Sequence, residues 1–386
     1  MFDLNVSQCF PNNRSRLYKK ALRILLEEWA AEKRTSRDDI YEGLSIEQEE
    51  ILLSEIAYNG MVADQHFFAK RTLSTKIKDF LSSNLNAPKH LDGEAVLNAI
   101  RVQRGILVER VEDTYSFSHL TLQEYLSAQY LVDNKKWKPL LKKHLTDSRW
   151  QETFLLLPGL IRGKTGVDDL LIYMEGIANR YLNSPKLKKL VQWANLSTRN
   201  SSGRSNPATK RVVAVVLTRA RALDIDLPLP LAFAQALAFA LNLDSALLLT
   251  RRTFPLAHPL NHPGLTIDRA LALFPAFMQA GIFGSVDFDA LGQSFNELKN
   301  NLPGAKASLI EKKQFIKKLY DLWFSALGIE AEATVISKAE SQSLANYFYA
   351  CELMIRCKEG AVRVSPDVWA GIESRILTVP EASEAL

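Results

Sequence analysis

The stretch Tyr115–Leu131, YSFSHLTLQEYLSAQYL, decides how this chain is read. A short strand-like run ends in His119, and an amphipathic helix starts two residues later. Thr121 fits the helix cap, and Glu124 stands three residues on, the spacing of a capping box. Leu122, Tyr125, Leu126, Gln129 and Tyr130 then line one mostly apolar face. Upstream, GILVERVEDTYSFSH alternates and is rich in β-branched and aromatic residues. It reads as a hairpin with strands near 106–111 and 114–118 and a turn at Glu112–Asp113.

Further upstream the period is helical. In 15–33, Leu17, Leu22, Leu25, Leu26 and Trp29 share a face. Residues 44–58 repeat the pattern behind Ser45 and Gln48, a Ser-x-x-Gln cap. Short helices are expected over 72–82 and 93–102. Helices followed by a hairpin are the parts of a winged helix. Downstream, helices are expected over 137–143, 148–161, 168–182 and 186–193. The fold class is therefore mainly α: a helical bundle plus a winged helix with a small β-hairpin, followed by a C-terminal all-α domain. The expected domains are 1–60 as a helical segment, 61–135 as the winged helix, 136–200 as a helical extension, 201–211 as a linker and 212–386 as the C-terminal helical domain. The linker lies within 198–211, TRNSSGRSNPATKR, which is polar and without periodicity. Ser365 and Pro366 mark another helix start.

The bulk properties exclude some classes. The chain has 386 residues, 47% hydrophobic and 24% charged, with a net charge of +5. That mild excess does not by itself imply nucleic acid. Three cysteines without framework spacing argue for a reducing compartment, and Cys351 and Cys357 read as buried or inert thiols and not as a pair. The N-terminus has no apolar signal core. The 17 uncharged residues of 227–243 are shorter than a membrane span and open on Pro228 and Pro230, so they read as a buried helix. The expected location is the cytoplasm, with no membrane partner.

Catalytic motifs fail on spacing. GLIRGKTG, 159–166, has its first glycine one residue too close for a phosphate loop, and follows a helical pattern instead of a strand. It reads as a helix-to-helix turn with Gly163 as the cap. Asp367, Glu373 and Arg375 stand in the order of a nuclease core but fall on a helical stretch. Asp224 and Asp226 precede prolines and read as a helix boundary. None of His66, His90, His119, His144, His258 and His262 has zinc-ligand spacing. No catalytic residue and no metal site is expected. Two lysine clusters, Lys135, Lys136, Lys138, Lys142 and Lys143, and Lys312, Lys313, Lys317 and Lys318, read as solvated faces. For a DNA-binding winged helix, Asn98, Arg101, Gln103 and Arg104 would be the base-reading set. His119 stays open between a structural histidine that closes the first helical turn and a donor to a phosphate at a helix N-terminus.

The opening stretch resembles the end of the winged-helix domain in NACHT-type signalling NTPases of the NOD-like receptor class, above all the bacterial and cyanobacterial members. Phe117, His119, Leu122, Gln123, Glu124, Tyr125, Ser127 and Ala128 stand in register with the family pattern. Residues 10–29 resemble the helical segment after the NTPase core, the hairpin resembles the family's wing, and 149–161 resembles the helix that follows. The resemblance covers roughly 10–162. The block after Lys210 resembles the Leu/Ala-rich C-terminal helical domains of bacterial relatives. The resemblance implies a regulatory switch and sensor part of a signal-transduction NTPase, in antiviral defence or stress signalling. It implies that His119 contacts the β-phosphate of ADP when an NTPase core is present, with no cofactor bound by this chain on its own. The family's phosphate loop and acidic strand would lie before the position matching Phe10, so no NTPase motor is expected here. The implied partners are an upstream NACHT module or a second copy of the chain. A DNA-binding regulator and a ligand-free helical scaffold remain the alternatives.

Overall fold

A computed structural model describes residues 14–28, 44–83, 92–101, 105–163, 165–202, 206–218, 263–304, 306–330 and 336–379. The expectations for Cys9, His90, Gln103, Arg104, Asp224, Asp226, the apolar run 227–243, His258 and His262 lie outside the described residues. The described residues form two compact units, one within Met1–Tyr173 and Arg356–Val364, the other within Met174–Ile355 and Ser365–Leu386.

The first unit opens with α1 (Arg14–Arg23), which runs into one π-helical turn at Ile24–Glu28. Leu22 and Leu26 of the expected face are buried, whereas Leu17 is exposed. Helix α2 (Ile46–Val62) begins at Ser45, whose hydroxyl accepts from the Gln48 N–H while the Gln48 side chain accepts from the Ser45 N–H. That reciprocal pair satisfies two of the donors a helix start leaves open. Then come β1 (Phe68–Ala69), α3 (Lys70–Ser83) and α4 (Gly93–Ala99), the last capped by the Asp92 carboxylate.

Strands β2 (Leu107–Val111) and β3 (Thr114–Phe117) form the hairpin, with its turn at Glu112–Asp113 as the alternation predicts. Asp113 takes the left-handed conformation there, with φ 57. Strand β1 adds to β3, giving an antiparallel sheet of order β1-β3-β2. The register pairs Leu107 with Phe117 and Glu109 with Tyr115, then shifts between Glu109 and Val111, which leaves Arg110 at an irregularity. Helix α5 (Leu120–Asp133) follows and packs along α2 and along α7 (Gln151–Leu160). Between them lie α6 (Trp137–His144) and a 3-10 turn at Ser148–Trp150. The core of the unit is mostly apolar, with Leu53, Phe68, Leu73, Ile77, Val96, Ile106 and Leu126 almost fully buried. Burial of this kind is the dominant favourable term in folding.

Helix α8 (Gly166–Asn179) comes after a turn that contains Gly163 at φ 110. The cap of α7 is Ile161, so Gly163 sits two residues beyond the position expected for it.

In the second unit, α9 (Pro185–Thr198) packs on α10 (Pro207–Thr218). The last five residues of the expected linker are thus helical. Pro207 stands at the first helical position, and Asn206 Oδ1 accepts from the Ala208 N–H. Lys210 and Arg211 are buried. Helices α11 (Pro263–Ala280), α12 (Phe288–Lys299) and α13 (Leu309–Ala326) pack on one another around Phe274, Phe288, Phe295 and Trp323. Helices α14 (Lys338–Gly360) and α15 (Pro366–Arg375) complete the order. Arg211 donates from Nε to the Ile376 carbonyl at 2.8 Å and from a terminal nitrogen to the Ser374 carbonyl at 2.7 Å. It thereby closes the C-terminal end of α15.

The chain is mainly helical, as expected, and the expected hairpin is joined by β1 into a small three-stranded sheet. Among the described residues, no helix is long and apolar enough to cross a membrane. Asp367, Glu373 and Arg375 all fall on α15, and Arg375 forms a two-point ion pair with Glu175, both contacts at 2.8 Å. Cys351 and Cys357 are buried free thiols, each pushed up to about 12 mainly by burial.

Candidate functional site at the mouth of helix α5

The local structure of His119 follows from where strand β3 ends. The Ser118 N–H donates to the Ile106 carbonyl at 2.8 Å, which is the last backbone tie between the two sides of the hairpin. His119 keeps an extended backbone, with φ −134 and ψ 139, and α5 begins at Leu120. His119 is therefore the N-cap residue, and Thr121 is already inside the first turn. The expected Thr121–Glu124 capping box does not form. Its replacement is not a side-chain cap, because the His119 imidazole makes no cap hydrogen bond. That imidazole is exposed.

Arg110 holds this mouth in place. A register shift re-aims a side chain relative to a regular strand. From the irregularity in β2, Arg110 donates from Nε to Ser116 Oγ at 2.8 Å. Its terminal nitrogen donates to the carbonyls of Phe117 at 3.3 Å and Ser118 at 3.1 Å. The two residues before His119 are thus tied to one guanidinium. Sequence reasoning missed Arg110. The hairpin reading gave it no role, and the register shift at which it sits has no signature in residue type.

Gln123, one turn further along α5, is 1% exposed. Its Nε2 donates to the Gln65 carbonyl at 3.0 Å, and its Oε1 lies 3.1 Å from His66 Nδ1. With Oε1 as acceptor, Nδ1 of His66 carries the proton in this arrangement. The Gln123 carboxamide thus pins the loop between α2 and β1 against α5. Space for it comes from Gly60, where an added Cβ would stand 2.7 Å from Gln123 Nε2 and from Phe68 Cζ. Gln123 was legible as part of the motif, but its partners 57 and 58 residues away were not.

Glu124 does not reach back to the helix start. It is partly buried, and its carboxyl is raised to about 7. Burial is the main cause, the Glu152 carboxylate adds to it, and His66 opposes it. Burial disfavours a carboxylate because the ion loses its water.

Of the base-reading set of the DNA-binding alternative, the two described members, Asn98 and Arg101, are engaged elsewhere. Arg101 is ion-paired with Glu109 on the wing and donates to Asn98 Oδ1 at 2.8 Å. In the first lysine cluster, Lys136 donates to the Tyr130 hydroxyl at 2.9 Å and lies over the stacked rings of Tyr58 and Tyr130. Lys138 lies over Trp137 and Tyr173. Both lysines place their ammonium groups over aromatic rings. Among the described residues, no group of three or more His, Cys, Asp or Glu side chains could hold a metal ion.

What the arrangement can do chemically is narrow. The start of a 14-residue helix concentrates N–H donors and the positive end of its dipole. An exposed imidazole stands beside it and makes no cap hydrogen bond to its own helix. That combination suits a contact with an anion presented from outside.

Comparison with protein families finds two matches. Residues 14–131 match the winged helix-turn-helix domain C-terminal to NACHT. Residues 291–379 match NACHT C-terminal helical domain 2. Comparison with curated proteins and with solved structures returns no match.

Proposed function

This chain carries two domains of the NACHT family's C-terminal part, the winged helix that follows the NACHT module and the second helical domain, and on that premise we propose that it is the regulatory switch and sensor part of a signalling NTPase of the NOD-like receptor type. The observation that carries the reading is the exposed His119 imidazole at the uncapped mouth of α5. The resemblance of 115–131 gives that histidine the phosphate of ADP as its ligand. The site fits a phosphate and nothing more of the nucleotide: one ring N–H donor beside a helix N-terminus. ADP supplies the anionic phosphate, and the rest of its pocket belongs to the NACHT module.

In the ADP-bound state His119 joins the winged helix to the nucleotide, and the two domains of the switch stay closed. Exchange for ATP withdraws that contact. The ligand then biases a two-state element only by its differential affinity for the two states. Hydrolysis is the work of the NACHT core, and the helical domain provides surface for a stimulus or for a second copy of the chain. The setting is the cytoplasm, in antiviral defence or stress signalling. The DNA-binding reading is disfavoured, because Asn98 and Arg101 are bound to each other and to the wing.

Co-purification tests this directly. The chain should be retained by its NACHT module in ADP and released in a non-hydrolysable ATP analogue. Equal retention in both nucleotides, or none in either, would remove the switch reading.

A further inference from the structure

We propose that a cleft in the first unit, between α1, α5, the α5–α6 turn and the end of α7, binds a small organic anion that carries a flat apolar group and a hydrogen-bond donor. The cleft has a volume of about 510 Å³, within the range of small-molecule pockets.

Its charge is uneven. Lys19 from α1, Lys135 from the turn and Arg162 from the end of α7 line it, against the single carboxylate of Asp133. Three cations facing one carboxylate favour an anionic guest. One wall is apolar, made by Trp137 and Leu160, and an indole packs favourably against a ring.

Two polar groups in the lining are set for a guest. Tyr125 is 1% exposed and also lines the cleft. Burial, with the carboxylates of Glu50 and Asp133 adding to it, pushes its hydroxyl up. It stays protonated and available as a donor. Gln129 spends its Nε2 on Glu50 Oε1 at 2.7 Å. Its Oε1 is buried without a hydrogen-bond partner among the described residues. A buried acceptor left open is costly, so this atom calls for a donor. A guest with an anionic group for Arg162 and Lys19, an N–H or O–H for Gln129 and a ring for Trp137 meets all of these demands. This site is independent of the phosphate contact assigned to His119, so either can fail alone.

The test is a fluorescence titration of the full chain with 1-anilinonaphthalene-8-sulfonate, which has a sulfonate, one N–H and flat rings. The expected result is a saturable single site. Lys19→Glu with Arg162→Glu should weaken it at least tenfold, and so should Leu160→Trp, which fills the cleft without changing charge. Lys142→Glu with Lys143→Glu makes the same charge change on exposed residues that do not line the cleft and should leave the titration unaltered. Melting curves on all variants confirm that each is folded. Titrations unchanged in both cleft variants would overturn the proposal, because the dye would then be reading apolar surface elsewhere. Equal weakening by the Lys142 and Lys143 substitutions would also overturn it, because the binding would then be general electrostatics.

Discussion

The guanidinium of Arg110 and the carbonyl of Ser118 are 3.1 Å apart across the wing, and this contact fixes the residue before His119. The position of the proposed phosphate contact is thus set by a side chain on the opposite strand. Replacing Arg110 by Met keeps the length of the stem and removes the donors. Hydrogen bonds to a charged group each contribute roughly 1.5–3 kcal/mol. Because Arg110 is exposed and its contacts are at most part-buried, the expected loss of stability is about 1 kcal/mol by denaturant titration, with faster amide exchange at Ser118 and Leu120. Unchanged exchange there would show that Arg110 does not hold the mouth of α5.

Glu124 makes the stability depend on pH. Its folded carboxyl is raised to about 7 from an ordinary 4.5. The folded state therefore binds more protons than the unfolded state between those two values. Stability contributed by the protonated form is present below about 4.5 and is lost as pH rises through about 7. A Glu124→Gln variant should lack that loss and be more stable than the parent at pH 8, by on the order of 1–3 kcal/mol. Parallel stability curves for the two proteins between pH 5 and pH 8 would contradict the assignment.

Gly60 tests the close approach of α2 to α5. A methyl at this position meets Gln123 Nε2, Phe68 Cζ and the Gln65 carbonyl, all within 3.0 Å. Gly60→Ala should cost about 1–3 kcal/mol, the usual cost of overpacking. The helix-propensity gain of Ala over Gly, roughly 1 kcal/mol, works in the opposite direction. A net gain of stability would mean that the Gln123 carboxamide is free to move aside.

Arg211 tests the second unit. It is buried, and burial is what lowers it below the ordinary arginine value. Its two carbonyl contacts end α15. Arg211→Met should destabilise the unit by about 2 kcal/mol, because the Ile376 and Ser374 carbonyls lose a charged donor, the first of them buried. Arg211→Lys should recover only part, since a lysine lacks the planar fork that reaches both oxygens. Full recovery by lysine would reduce the role of Arg211 to charge alone.

The legible parts of this chain were those decided by neighbours in sequence. The hairpin showed in the change of period at 106–118, and the Glu112–Asp113 turn fell where the alternation broke. Ser45 and Gln48 announced α2, and their capping box forms as expected. The N-cap of α5 was misread because Thr121 and Glu124 have better capping chemistry than His119. What overrides them is tertiary: the ladder bond of Ser118 and the grip of Arg110 keep the chain extended through His119, and Glu124 is partly buried near Glu152 of α7. Arg110, the Gln123–Gln65 tie and the Arg211 clamp were invisible for a common reason. Each joins groups on different elements, and residue type at one position does not report the other. The helical start at Pro207 was present in the Asn-Pro pair, but the polar stretch around it had the composition of a loop.

The central claim is that His119 is a phosphate contact, and ADP retention measures it most directly. The chain should be purified together with its NACHT module, as parent, His119→Ala and His119→Gln, and the bound ADP and its release rate measured. The account expects both variants to release ADP at least tenfold faster, with winged-helix melting unchanged because the imidazole caps nothing in its own helix. Equal ADP release in all three proteins, with or without a loss of stability, would contradict it.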